Sequence, residues 1–308
     1  VTTLADLVVE VQRRTLSSLR EETDQLGGDI NSSAADIQLA SGQTLGSIGP
    51  GAILQIDYEL LLVTGAPAAS AVPVQRGYYG STPASHTANA NIVVNPRFPA
   101  VDIIRAINED IDDLSAPANG LFQAKEITLN YNPVLVGYDF TDANGGGQVT
   151  SANLIDLLEV RVHEYGPAQV WPPVPLSRVK VQRQADTTQF PSGMALQFRG
   201  CGFPGRPIRV QYMAPYTTPL AAAADDVAAV TGLHPQAHDI PTLGATYRLM
   251  QFREIPRSFT EAQPQPRKAQ EVPVGSSLTA MKGVMQHRLD RIAAERGRLN
   301  RMYPRSWL

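Results

Sequence analysis

Charge, aromatic residues and cysteine are all scarce in this chain of 308 residues. Charged side chains make up 18% and the formal net charge is -3, which excludes a strongly basic nucleic-acid binder on global balance. There is one cysteine, Cys201, so no intrachain disulfide framework exists. Its strand-like setting between Phe198 and Phe203 points to a buried structural thiol rather than a nucleophile. No apolar run approaches the roughly 20 residues that a bilayer-spanning helix needs, so no membrane partner is expected. The N-terminus is an amphipathic pattern with charges and shows no signal-peptide pattern.

Catalytic patterns are equally thin, and the chain reads as no enzyme. His234 and His238 have the i, i+4 spacing of a metal pair, but Pro235 stands between them and no Glu accompanies them, so they read as a loop pair. No Gly-x-Ser-x-Gly elbow is present. Gly145-Gly146-Gly147 lacks the Lys-Ser/Thr that would complete a phosphate cradle. No cofactor and no metal site is expected. What the chain does hold is 43% hydrophobic residues, enough for real cores, with 24 glycines and 24 prolines for turns and extended connectors.

The stretch from Ile53 to Pro96 organises the rest. Ile53, Gln55, Asp57 and Glu59 alternate with Leu54, Ile56, Tyr58 and Leu60, which predicts one strand with a buried face. Gly65-Ala66-Pro67 breaks it, Val72 to Arg76 begins a second strand, and Asn91 to Val94 makes a third. The expectation is a small three-stranded meander with a polar, aromatic loop at its tip.

The run IDYELLLVTG…VQRGYYGSTPASHTANANIVV, from Ile56 to Val94, resembles a pattern found in virion structural proteins of long-tailed bacteriophages. It recurs especially in neck and tail components of actinobacterial phages. The most specific residues are Glu59, Val63, Thr64, Arg76, Gly77, Gly80, Ser81 and His86. Ser81 stands where Thr is commoner, and Asn89-Ala90-Asn91 where a Gly usually sits. More than one virion protein class shares the pattern. His86 is expected to hydrogen-bond a loop rather than to do catalysis.

Either side of this stretch lie amphipathic helices. Leu4, Leu7, Val8, Val11, Leu16 and Leu19 recur at helical spacing, with Thr3 and Asp6 able to cap the start, predicting a helix that ends before Gly27-Gly28. It packs on its own domain or on a neighbouring subunit. Residues 31–50 are a small-residue lead-in with Ile37 and Leu39 as an edge strand. Pro99 to Leu114 predicts a second helix with Val101, Ile104, Ile107 and Ile111 on one face, and Asp102, Glu109, Asp110, Asp112 and Asp113 on a solvated one. From Leu121 to Pro215, strands at regular spacing joined by Pro/Gly turns predict an antiparallel β-sandwich. Asp239-Ile240-Pro241 opens a short helix. Arg257 to Pro273 holds prolines among polar residues and reads as an extended arm.

Ser276 to Tyr303 predicts a last helix. Leu278, Met281, Met285, Leu289, Ile292, Leu299 and Met302 form its apolar stripe, expected to anchor on a portal protein or a neighbouring subunit. Arg288, Arg291, Arg296, Arg298 and Arg301 flank it, for DNA phosphates or, in the favoured reading, for salt bridges on a subunit-subunit face to acidic helices such as Asp102 to Asp113. The fold class is therefore α+β: a helical connector module with a small β-meander, an antiparallel β-sandwich and a C-terminal amphipathic helix. The divisions fall at 1–30, 31–120, 121–220, 221–256, 257–275 and 276–308.

The order of short helix, Pro-rich arm and arginine-rich helix is similar to phage head-to-tail connector proteins. That resemblance implies a ring-forming adaptor of twelve-fold order between the portal and the stopper or tail-side neck proteins, with DNA passing through. It implies a virion protein assembled in the host cytoplasm. The alternative is a minor tail or collar protein whose β-sandwich binds a carbohydrate or receptor, with Tyr78-Tyr79 and Trp171 as its aromatic residues.

Overall fold

The computed structural model describes the chain except residues 17–20, 43, 131–136, 146, 165–169, 200–205, 261–275 and 305–308, and, within its helices, the side chains of 252–260 and 276–278. The described residues form a mixed α+β fold with five α-helices and antiparallel sheets. The chain divides into two compact units. The first holds residues 1–110, 219–230 and 234–289, and the second holds 111–218, 231–233 and 290–308.

The first unit opens with α1 (Leu4–Leu16), whose Leu4, Leu7, Val8 and Val11 are buried. The predicted cap forms: the Thr3 N–H donates to Asp6 Oδ2 at 2.8 Å, and the Asp6 N–H donates back to Thr3 Oγ1 at 3.3 Å. Six strands follow: β1 (Glu22–Gln25), β2 (Asp36–Gln38), β3 (Ile53–Ile56), β4 (Glu59–Val63), β5 (Ala71–Gln75) and β6 (Asn91–Val94). They form one sheet in the order β1-β6-β3-β4-β5-β2. The sheet curls until its ends bond each other: the Gly27 N–H donates to the Gln38 carbonyl at 2.7 Å and the Ala40 N–H to the Gln25 carbonyl at 2.8 Å. Closing the sheet removes exposed strand edges. Leu26, Ile37, Leu54, Ile56, Leu61, Val72 and Ile92 fill its interior.

Two expectations change here. The strand expected from Ile53 onward is a hairpin: Ile56 pairs with Glu59 across Asp57-Tyr58. Asp57 takes the turn at φ 51°, a left-handed conformation that Asp tolerates better than most residues. The alternation mistook a turn for a continuous strand, because Gln55 and Glu59, read as the open face, are both buried. The N-terminal helix also stops earlier than expected, and Glu22–Gln25 belongs to the sheet.

Four further helices have residues in this unit: α2 (Ala100–Leu114), α3 (Val227–Thr231), α4 (Asp239–Thr260) and α5 (Ser276–Met302). The residues of α2 after Asp110, Thr231 of α3 and the residues of α5 after Leu289 belong to the second unit. Helix α1 packs on α4. The buried face of α2 carries Ile103, Ala106, Ile107, Asp110, Ile111 and Leu114, so Val101 and Ile104 lie at its margin rather than its centre. Asp239 opens α4 as expected, but the helix runs to Thr260, through the first four residues read as extended arm. The rest of the expected arm lies outside the described residues.

The second unit is the expected β-sandwich. One sheet takes β7 (Gln123–Asn130), β9 (Asp156–Val162), β10 (Pro173–Val174) and β13 (Pro207–Ala214) in the order β10-β9-β13-β7. The other takes β8 (Tyr138–Asp139), β11 (Val179–Arg183) and β12 (Met194–Phe198) in the order β11-β12-β8. Ile127, Val160 and Val210 from the first sheet share one core with Tyr138, Met194 and Leu196 from the second. Every pairing is antiparallel. Cys201 and the Phe203–Gly205 part of the predicted turn fall outside the described residues.

Candidate functional site

Glu59 is the centre of the site. It opens β4 one turn after Asp57 and is 2% exposed, so its carboxylate has left water and needs compensation from the protein. Arg76, the first residue after β5, supplies it with a fork of two bonds: Nε donates to Oε1 at 2.7 Å and Nη2 to Oε2 at 2.6 Å. The Gly77 N–H adds a bond to Oε1 at 3.1 Å and the Ala84 N–H one to Oε2 at 3.0 Å. His86 closes the cluster, with Nε2 2.9 Å from Glu59 Oε2 and Nδ1 2.9 Å from Asp57 Oδ2. The remaining Arg76 donors reach the Asn31 carbonyl at 2.6 Å and the Ala84 carbonyl.

Electrostatics favour the ionised carboxylate. Burial acts to raise the Glu59 pKa, but Arg76, the Ala84 N–H, His86 and the Gly77 N–H together outweigh it and lower the value from 4.5 to about 2.

The loop between Arg76 and His86 is thereby fastened at both ends. Gly77 sits at φ 63°, and a Cβ there would come within 2.8 Å of Pro83 Cγ, so this position requires glycine. Ser81 accepts the Leu60 N–H at 2.9 Å and donates to the Tyr78 carbonyl at 2.9 Å, so the loop is also tied to β4. The Ile30 and His86 main chains bond each other at 2.9 and 3.0 Å. Glu59, Arg76, Gly77 and His86, which carry the resemblance, therefore meet around one carboxylate, and Ser81 ties their loop to β4 beside it. Gly80, at φ 80°, turns the loop between them. Their chemistry is that of a clamp: each ionised group is engaged by another member or by the loop's own main chain. Sequence reading missed Asp57 as a member. The Asp-x-Glu spacing at a hairpin tip was the available signal.

The helix anchors divide into two sets. Ile292 and Leu299 are buried, 4% and 5% exposed, alongside Arg288 and Glu295, so the inward stripe of α5 is Arg288, Ile292, Glu295 and Leu299. Those two anchors are core residues of this chain, which corrects their placement on a partner-facing stripe. Met285 and Leu289 are each 39% exposed and Met302 is 55% exposed, while Met281 is half-buried. The side chain of Leu278 lies outside the described ones.

The arginines divide as well. Arg288 is committed to Asp110, with Nη2 2.9 Å from Oδ1 and Nε donating to Oδ2 at 3.2 Å. Asp110 is 1% exposed, so the acidic face of α2 is not wholly solvated, and Arg288 is no phosphate contact. Arg248 approaches the same carboxylate at 3.6 Å. Gly244 makes room for it, since a Cβ there would lie 1.9 Å from Asp110 Oδ1. Within the second unit, Arg298 bonds Glu295, with Nε 2.9 Å from Oε2. Nearby Tyr216 has its pKa pushed up by burial, with the Glu295 carboxylate adding to the rise. Arg291 is half-buried, and Arg296 and Arg301 are exposed. Arg296 lines a cavity of about 590 Å³ in the second unit with Leu121, Phe122, Met213, Asn300 and Tyr303.

Of the aromatic residues considered for sugar binding, Trp171 has the Arg209 guanidinium 3.9 Å from its ring centroid and His163 packed edgewise at 4.9 Å. A sugar would have to displace the arginine to stack on that face. His234 caps a short turn by accepting the Gln236 N–H, and His238 is buried. Among the described residues no three His, Cys, Asp or Glu side chains are grouped to hold a metal, and no helix is long and apolar enough to cross a membrane.

Comparison of the chain with protein-family models and with curated proteins finds no match in either.

Proposed function

We propose that this chain is a structural virion protein of a tailed phage, a ring-forming adaptor that joins the portal to the tail side of the neck. One observation carries the reading. Three of the residues that resemble the neck-protein pattern, Arg76, Gly77 and His86, converge on a fourth, Glu59, so this part of the pattern corresponds to one physical device rather than to scattered identities. A saturated ion cluster around a buried carboxylate suits a part that must hold its shape while neighbours load it. Helix α5 supports the same reading, since Met285, Leu289 and Met302 stay exposed on a helix whose inward stripe is already satisfied. Exposed methionine and leucine on a helix suit a groove on a partner, here the portal or the next subunit. The arginines that remain exposed, Arg296 and Arg301, set register against acidic groups of that partner. The test is particle assembly with Met285, Leu289 and Met302 replaced by Ser. The chain should fold normally and fail to enter particles, whereas normal occupancy would overturn the anchor role.

A further inference from the structure

We propose that Tyr79 is a docking aromatic, held out by a strained loop tip to receive an acidic, apolar segment of a partner protein. The inference deepens the neck-protein reading, on which it rests only for where the partner is found. Tyr79 has φ 55° and ψ 30°, the left-handed region that a bulky residue avoids. It is the only aromatic residue with positive φ among those described. Its flanking glycines, Gly77 and Gly80, also have positive φ, so the tip is built from three such residues within four positions.

Strain of this kind persists only where the surroundings over-determine it. Here they do: the Glu59 carboxylate takes the Gly77 N–H, Ser81 ties the far side of the tip to Leu60, and Pro83 fills the space against Gly77. The result leaves Tyr79 55% exposed rather than buried. A clamp that spends backbone strain to expose a ring serves something outside the chain.

The ground beside the ring defines what it fits. Tyr79 borders a cleft of about 380 Å³ within the first unit, floored by the buried side chains of Phe98, Ala106 and Leu249. Arg105 lies over the ring, with its guanidinium carbon 5.5 Å from the centroid. Charges on the rim are largely spoken for: Asp102 lies 3.6 Å from Arg105, and Glu109 lies 3.7 Å from Arg248. Arg97, exposed on the same rim, forms no ion pair among the described residues, and the carboxylate beside it, Glu21, takes its main-chain N–H at 2.9 Å. An apolar floor, an aromatic ring that is 55% exposed beside Arg105, and a cation with no ion-pair partner among the described residues together fit a segment that carries an apolar or proline side chain next to a carboxylate.

The test uses the full-length protein in two arms. Tyr79→Gly relieves the strain, so Tm should rise by about 2 °C. Entry into the assembled particle should fall at the same time. A residue that matters only for the fold cannot give that pair of results. A fall in Tm would overturn the strain argument, and a rise in Tm with normal assembly would overturn docking. In the second arm, photoreactive p-benzoylphenylalanine replaces Tyr79 and the crosslinked peptide is sequenced. The proposal expects one partner segment with Asp or Glu beside apolar residues. Arg97→Glu should cut the yield about tenfold, and reversing the partner's acid to Lys should restore it. Scattered crosslinks, or a yield indifferent to Arg97→Glu, would overturn it. If the chain proves absent from virions the neck reading fails alone, and the same crosslinks are read in the assembly that does contain the chain.

Discussion

Glu59 and Arg76, 17 residues apart, meet through two parallel bonds of 2.7 and 2.6 Å with almost no solvent on either side chain. The pair ties the hairpin tip at Asp57-Tyr58 to the loop that follows β5. Breaking a buried pair strands its partner, which is more harmful than replacing both. Glu59→Ala should therefore destabilise the first unit by about 3–5 kcal/mol, read by urea or thermal unfolding. Arg76→Lys should also be costly, because an ammonium cannot supply the fork. A loss below about 1 kcal/mol in both would remove the clamp as a structural centre.

The same carboxylate sets an acid limit. Its folded pKa of about 2 lies below its ordinary value of 4.5. Its contribution is thus complete above pH 4.5, shrinks as pH falls, and is gone below about 2. Over that window the loss should be about 3 kcal/mol. Asp24 and Asp139 are also lowered, against burial that raises them, by bonds from Ser41 and from Ser192 respectively, and they add to the same slope. Denaturant titrations between pH 6 and 2 should show a shallower slope in Glu59→Gln than in the parent. Identical slopes would contradict the assignment.

Much of this was legible in the chain and some of it was not. Thr3, Asp6 and the spacing of Leu4, Leu7, Val8 and Val11 announced α1, because a helix start and an amphipathic period are local signals. The sandwich was equally legible, since its strands alternate against one core. The hairpin at Asp57-Tyr58 was hidden because a barrel hairpin covered on both faces buries Gln55 and Glu59, which period-two reasoning assigns to solvent. The arginines of α5 were expected to meet an acidic helix such as 102–113 between subunits, and that Arg288 meets Asp110 within one chain could not be read because a contact across 178 positions leaves no local trace. The motif residues of the clamp could be named individually, but the carboxylate that joins them is visible only in three dimensions.

That long-range contact gives its own prediction. Arg288→Ala should cost on the order of 3 kcal/mol, because the buried Asp110 loses its bonds of 2.9 and 3.2 Å while Arg248 stands off at 3.6 Å, whereas replacing both with apolar residues of similar size should be much less harmful. Gly244→Ala should be damaging for the same site, because its Cβ would collide with Asp110. Differential scanning calorimetry of the three variants checks this. A harmless Arg288→Ala would place the pair among surface bridges of little worth.

The exposed arginines should behave oppositely. Arg296→Gln and Arg301→Gln should leave stability within about 0.5 kcal/mol of the parent. Their effect should appear as weaker, more salt-sensitive association with the partner. If the purified chain instead binds duplex DNA with an affinity that falls steeply with salt and depends on these two residues, the DNA reading of α5 replaces the protein-partner reading.

The most direct test of the neck-protein account is electron microscopy of purified virions carrying a label on this chain. The account predicts label at the head-to-tail junction, arranged as a ring around the channel. Label at the tail tip or along the tail shaft, or virions without it, would contradict the account.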